Sequence, residues 1–196
     1  MESKSSSTSA YSDDISRAID VMNRGGIIAY PTDTIWGLGC DATNAEAVRR
    51  IYEIKRRDDS KALITLVDSE AKVEFYVKEV PEVAWQLIEV ADKPLTIIYD
   101  NARNLAPNLI AEDGSIAIRI TSEPFSRELC RRFKKAIVST SANVSGEPSP
   151  STFADISREI LDAADYVCTS RRNENAPHIP SSIIKLGVSG EVKVIR

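Results

Sequence analysis

Residues 31–41 read PTDTIWGLGCD. They follow an apolar run, GGIIAY, and precede an amphipathic segment, NAEAVRRIYEIKRR at 44–57. The run reads as a short buried strand. The later segment reads as a helix capped by Asn44, with Ala47, Val48, Ile51 and Ile54 inward. PTDTIWGLGCD is then a strand-to-helix connection. In α/β sheets such connections lie at strand ends, where ligands bind. Its hydroxyls and glycine amides can hydrogen-bond a small polar ligand or a phosphate. It is no P-loop, because G-x-x-x-x-G-K-[ST] occurs nowhere in the chain, and Gly37 and Gly39 lack the third glycine of a G-x-G-x-x-G turn. The plain alternative is a glycine-containing turn.

Outward from this stretch, helices and strands alternate. DDISRAIDVMNRGG places Ile15, Ala18, Ile19 and Met22 on one helical face and stops at Gly25-Gly26. ALITLV, PLTIIYD, GSIAIRI, KAIVSTS, DYVCTS, SSIIKL and EVKVIR read as strands. SEAKVEFYV, PEVAWQLIEVAD with Pro81 in its first turn, EPFSRELCRRF and FADISREILDAA read as helices, the last capped by Ser151 or Thr152. No repeat or interdomain linker interrupts the pattern. The expectation is a single α/β (α+β) domain over 12–196 with a mixed sheet, after a weakly ordered lead of residues 1–11.

Composition sets bounds. The chain has 196 residues, 42% hydrophobic and 28% charged, enough for a real core. No apolar run approaches the roughly 20 residues of a membrane span, and the N-terminal stretch has no apolar h-region. The three cysteines, Cys40, Cys130 and Cys168, are far apart and odd in number, which suits a reducing cytoplasm and excludes a disulfide framework or metal spacing. The net charge of −4 means that any nucleic-acid contact needs a local basic patch.

Three further segments carry chemistry. KRRDDSK at 55–61 closes a helix. Cations there complement the helix dipole, so a solvated basic cap is the bland reading. The sharper one is polyphosphate capture by Lys55, Arg57 and Lys61. IVSTSANVSG at 137–146 ends a strand in Ser139, Thr140 and Ser141, followed by Asn143 and Ser145-Gly146. That is ordinary turn chemistry, or a cradle for phosphate or Mg²⁺-phosphate. In GSIAIR at 114–119, Ser115 and Arg119 share a strand face, and an Arg in an apolar strand needs an anionic partner, more often a protein carboxylate than a ligand. His178, the only histidine, lies in a Pro-flanked loop and assembles no triad or metal cluster. Asp33 and Asp41 offer metal-binding carboxylates but read as turn residues, and Trp36 and Trp85 read as packing rather than stacking platforms, with Trp36 close to the expected site.

GGIIAYPTDTIWGLGCDA, IYEIKRRDDSKAL, SIAIRI and STSANVSG, in this order and spacing, closely resemble the YrdC/TsaC family of threonylcarbamoyl-AMP synthases from about residue 12 onward. The family's Lys-x-Arg motif falls on Lys55 and Arg57, and its Ser-x-Asn motif on Ser141 and Asn143. Members commonly carry Tyr or Phe at Trp36, and Pro at the places of Asp58 and Ala62. The related YciO-like branch tends to lack the full motif sets, which are intact here. The resemblance implies a twisted mixed sheet with a concave basic site. It also implies a reaction: L-threonine and bicarbonate give N-carboxythreonine, which attacks the α-phosphate of ATP, yielding threonylcarbamoyl-AMP and pyrophosphate. A tRNA threonylcarbamoyl transferase complex then uses the product. Such nucleotidyl transfer relies on positioning and charge neutralisation, which needs no His or Cys nucleophile. Mg²⁺ with ATP is expected. By resemblance Lys55, Arg57, Ser141 and Asn143 hold the phosphates with Ser115 near the nucleotide, and Thr32, Thr34, Lys61, Arg119, Ser139 and Ser182 meet the threonine, with the glycines admitting the ligand to the backbone. Two alternatives share the fold: a YciO-like activity on a different acceptor, and a binding protein for double-stranded or ribosomal RNA.

Overall fold

In a computed structural model of the chain, residues 11–56, 63–174 and 180–196 are described. The elements run α1 (Ser12–Asn23), β1 (Ile28–Tyr30), β2 (Gly37–Gly39), α2 (Ala45–Lys55), β3 (Ile64–Val67), α3 (Glu70–Tyr76), α4 (Glu82–Val90), β4 (Leu95–Tyr99), β5 (Ile116–Ile120), α5 (Pro124–Phe133), β6 (Ile137–Ser141), α6 (Arg158–Ala163), β7 (Tyr166–Val167), β8 (Ser182–Leu186) and β9 (Val192–Val194). Among the described residues the strands form one mixed sheet in the order β7-β1-β2-β6-β3-β5-β4-β8-β9. The pairs β1/β7, β3/β5 and β4/β8 are parallel and the others antiparallel. The expected α/β class is what forms.

The helices follow their apolar stripes. α1 buries Ile15, Ala18 and Met22 and lies against α5, where Arg132 donates to the Ser12 carbonyl (3.2 Å) and to Ser16 Oγ (2.7 Å). Gly25 ends α1 in a left-handed conformation (φ +78°) that glycine adopts without strain. Asn44 caps α2 as expected, accepting from the Glu46 and Ala47 amides at 3.0 and 3.1 Å.

Two expectations are corrected. FADISREILDAA is not one helix. A single 3-10 turn, Phe153–Asp155, is closed by the Asp155 carboxylate, which accepts from the Thr152 amide and hydroxyl. Ser157 then starts α6 by accepting from the Ile160 amide, so a second cap inside the segment splits it. PTDTIWGLGCD is also more than a connection, because it contains β2, antiparallel to β1. The glycines serve that pairing. The buried Tyr30 ring lies across β2, and a Cβ on Gly39 would sit 2.6 Å from Tyr30 Cε1 and 2.9 Å from the Val138 carbonyl. No side chain fits there.

Candidate active site

A cavity of about 260 Å³ opens where β2, β6, β3, β5 and β8 present their ends. Six hydroxyl residues line it: Thr34, Ser139, Thr140, Ser141, Ser149 and Ser181. Arg119 and Arg196 supply guanidinium groups, and Ile35, Leu63 and Ile183 supply apolar wall. Among the described residues no Asp or Glu side chain lines it, and no cluster of three or more His, Cys, Asp or Glu side chains could cage a metal ion.

One corner is built from the end of α2 and the end of β6. Lys55, the last residue of α2, is 1% exposed. Its ammonium donates to the backbone carbonyls of Ser141 (2.6 Å) and Asn143 (2.7 Å), with Ser141 Oγ at 3.5 Å and Asn143 Oδ1 at 3.4 Å. The bland reading of Lys55 as a solvated cap is therefore wrong. The loop is stapled back onto the helix: the Ser145 amide donates to the Lys55 carbonyl at 2.9 Å, and Asn143 Nδ2 to the Glu147 carbonyl at 2.7 Å. The Ala142 amide meets the Trp36 carbonyl at 3.0 Å, joining this corner to β2. Lys55 and Asn143 thus stand behind Ser141, which faces the cavity.

The other corner is built around Arg119 on β5, 3% exposed. Its Nη2 lies 2.9 Å from Asp33 Oδ1 and 3.4 Å from Thr34 Oγ1. The Asp33 approach is close enough for an ion pair but is not aligned as a hydrogen bond, and Arg119 Nε has no partner. Burial pushes the Asp33 carboxyl above its ordinary value, against the pull of the Arg119 guanidinium. Asp33 is thus the carboxylate partner that an Arg in an apolar strand calls for. It lies outside the main cavity and faces a second one beside Asp92, Lys93 and Ser122.

The two threonines of the opening stretch have different jobs. The backbone from 32 to 36 is not strand-like, so alternation does not apply. Thr32 Oγ1 accepts from the Thr34 amide (3.1 Å) and donates to the Ile35 carbonyl (2.7 Å), which locks the turn. Only Thr34 lines the cavity, its hydroxyl 3.1 Å from that of Thr32. Trp36 packs on Phe153 with ring centroids 4.8 Å apart, and Arg172 lies over the same Phe153 ring.

Of the sequence-derived residues, Thr34, Arg119, Ser139 and Ser141 line the cavity and Lys55 and Asn143 back it. Three move. Thr32 braces the turn. Ser115 immediately precedes β5, four residues before Arg119 and roughly 13 Å along the strand, and does not line this cavity; its amide donates to Asp113 Oδ1 at 3.0 Å. Ser182 is exposed, and its neighbour Ser181 lines the cavity instead, 2.9 Å from Thr96 Oγ1. Arg57, Lys61, Asp58, Ala62 and His178 lie outside the described residues. Sequence reasoning missed Ser149, Ser181 and Arg196. A Pro-Ser-Ser run offers two adjacent serines, and strand alternation lets only one face inward. Arg196 reaches the cavity because β9 folds back on β8, its guanidinium donating to the Ser181 carbonyl at 3.1–3.2 Å.

The three cysteines are free and buried, and no helix among the described residues is long and apolar enough to cross a membrane. Residues 20–196 match the Sua5, YciO and YrdC family, described as "Telomere recombination". A threonylcarbamoyl-AMP synthase of Vibrio cholerae is 33% identical over 174 residues, 87% of this chain and 92% of its own length. The crystal structure of P. abyssi Sua5 complexed with L-threonine superposes with a TM-score of 0.85 at 26% identity, covering 93% of this chain. This chain spans about half of that one (53%). Escherichia coli YciO, at 22% identity and a TM-score of 0.79, shares the fold. On the length matched and on the identity to a curated relative, the chain belongs to the Sua5/YciO/YrdC family.

Proposed function

We propose that the protein is an L-threonylcarbamoyladenylate synthase, a nucleotidyltransferase that makes threonylcarbamoyl-AMP and pyrophosphate from L-threonine, bicarbonate and ATP. The carrying observation is the cavity's chemistry: six hydroxyl residues and two guanidinium groups, no Asp or Glu side chain among the described lining residues, and Lys55 buried against the Ser141 and Asn143 carbonyls. Such a lining welcomes anions. A carboxylate of the amino-acid substrate pairs with Arg119, whose Nε is unpartnered, and Thr34 orients the rest of that substrate. The carbamate oxygen attacks the α-phosphorus, the bond to the bridging oxygen breaks, and pyrophosphate leaves. Lys55, with Ser141 and Asn143, neutralises phosphate charge from a fixed position, so the protein needs no nucleophile of its own.

The activity named for the V. cholerae relative and the L-threonine complex of P. abyssi Sua5 support the choice of substrate. Mg²⁺ would accompany ATP. The hydroxyls of Ser139 and Ser141 are hard oxygen donors it accepts, and it would supply further charge neutralisation on the phosphates. The product is a reactive mixed anhydride, so a tRNA threonylcarbamoyl transferase complex is the natural consumer. Three free thiols suit a reducing cytoplasm.

A pyrophosphate-release assay with ATP, bicarbonate and a panel of amino acids tests this. Release should depend on L-threonine. Equal release with serine, with glycine or with no amino acid sinks the proposal.

A further inference from the structure

Arg171 does not line the cavity, yet it is tied to both halves of the Arg119 corner. Its backbone takes φ +60°, a left-handed conformation that favours glycine and that a side chain adopts only when its surroundings fix it. Its side chain is mostly buried, at 14% exposure. Nη1 donates to the Thr32 carbonyl at 3.1 Å and lies 3.0 Å from Glu123 Oε1, and Nη2 lies 2.7 Å from Glu174 Oε2. The first bond grips the turn that carries Asp33 and Thr34. The Glu123 contact reaches β5 by another route. Glu123 caps α5, accepting from the Phe125 and Ser126 amides and from Ser126 Oγ. Ser126 Oγ is 2.8 Å from Thr121 Oγ1, two residues beyond Arg119.

The loop bearing Arg171 is itself anchored. Asp14 of α1, 5% exposed, accepts from Tyr166 Oη (2.6 Å), the Thr169 amide (3.0 Å) and the Ser170 amide (2.7 Å). Nε and Nη2 hold Glu174 within the same loop, while Nη1 alone reaches out, to the Thr32 carbonyl and to Glu123, so a side chain fixed at its own end links two other segments and acts as a brace between them.

We propose that Arg171 is a positioning residue: it holds Thr34 and Asp33 in register with Arg119 and thereby sets affinity for the amino-acid substrate without touching it. The substrate part of this rests on the synthase reading; the brace itself does not. Arg119 has only a loose contact to Thr34, at 3.4 Å, and an unaligned one to Asp33. Thr32 sets the internal shape of the turn, neither Arg119 contact ties that turn to the rest of the fold, and the Arg171 bond to the Thr32 carbonyl does so from outside.

The test uses Arg171→Gly, in which glycine keeps φ +60° without strain, and Arg171→Lys, which keeps the charge and one donor. Hydrogen–deuterium exchange of the full chain reads the brace independently of any substrate. In Arg171→Gly the amides of residues 33–37, Thr34 above all, should exchange about fivefold to tenfold faster, with β3 and β4 unchanged. In the pyrophosphate assay the KM for L-threonine should rise about fivefold to tenfold with the ATP KM within about twofold, and Arg171→Lys should recover part of both effects. Unchanged exchange at 33–37 overturns the inference whatever the substrate is. Faster exchange with both KM values raised equally overturns the claim of substrate selectivity. If the unaltered protein shows no threonine-dependent turnover, the functional reading falls, and the exchange result alone decides the brace.

Discussion

The two corners of the cavity are built on opposite principles. At Lys55 a cation is satisfied by backbone carbonyls 86 and 88 residues away, supplied by a strand end and the loop stapled behind it. At Arg119 a cation faces a carboxylate and a hydroxyl and keeps its own Nε unpartnered, and the turn beside it is bonded by a second, mostly buried cation, Arg171. The first corner is fixed by main chain and is largely complete. The second is fixed by side-chain charge and is left short of partners. Unspent hydrogen-bonding capacity is what a ligand carboxylate can use.

The largest expected effect is on the second corner. Arg119→Ala leaves Asp33 buried without its counter-ion, which should cost about 3–5 kcal/mol of stability at pH 8. The pH dependence has a definite sign. Asp33 already has a raised carboxyl pKa in the fold, so its contribution is fully present below the ordinary carboxylate value and is lost as pH rises through the raised one. Removing the guanidinium takes away the opposing pull and raises the value further. The destabilisation should therefore shrink as the pH falls through the raised value, where Asp33 takes up a proton. Chemical denaturation of both proteins at pH 5 and pH 8 measures this, and a pH-independent deficit would show that Asp33 is not the group left stranded.

Lys55→Ala comes next. It should lose roughly 2–4 kcal/mol of transition-state stabilisation, about 30-fold to 1,000-fold in kcat. A solvated helix end would leave folding untouched, but at 1% exposure Lys55 should not. Two carbonyls lose a charged donor, so a further loss of about 1–3 kcal/mol in stability is expected by thermal or urea unfolding. Unaltered stability would mean that the 141–147 loop holds itself without the Lys55 ammonium, which would narrow the contrast between the corners.

Within the second corner, Thr34 and Thr32 sharpen the comparison. Thr34→Val should raise the KM for L-threonine about fivefold to 150-fold while the ATP KM stays put. Thr32→Val breaks the bonds to the Thr34 amide and the Ile35 carbonyl, so it should cost about 1–2 kcal/mol of stability and change KM only through the turn. Steady-state kinetics with both substrates, beside unfolding curves, separate the two. A larger KM effect from Thr32→Val than from Thr34→Val would reverse the assignment.

What was legible in the sequence follows the same division. Period-2 and period-3.6 patterns placed the strands and most helices, because burial of one face leaves that trace. The Lys55–Ser141–Asn143 corner was legible through the family resemblance: periodicity puts Lys55 at the end of a helix and Ser141 at the end of a strand, but does not bring the two together. Asp33 was weighed as a turn residue because a buried ion pair between distant elements leaves no spacing. Arg171 was invisible for a further reason: an Arg in a polar loop shows neither its left-handed backbone nor its burial. β2 was missed because three residues flanked by turn chemistry carry no period, and Gly39 owes its place to the Tyr30 ring rather than to a ligand.

The smallest effect concerns the two serines after Pro180. In β8 adjacent residues face opposite sides of the sheet, and register pairs Leu95 with Ser182. Ser181, 2% exposed, shares a hydroxyl contact of 2.9 Å with Thr96 and accepts from Arg196 through its carbonyl, so it belongs to the cavity wall. Ser182 is exposed and has no place in that wall. Ser182→Ala should therefore change kcat, both KM values and stability by no more than about 0.5 kcal/mol, the ordinary range of surface substitutions. Ser181→Ala should cost about 1 kcal/mol in stability through Thr96 and raise a substrate KM about fivefold. Ser181→Thr is the harder variant, since an added methyl group projects from a buried wall and should act through volume rather than hydrogen bonding. Kinetics on the three variants decide the matter. If Ser182→Ala matches Ser181→Ala in its effect on KM, the inward face of β8 is the other one, and the Arg119 side of the cavity extends one residue further along the strand than its lining indicates.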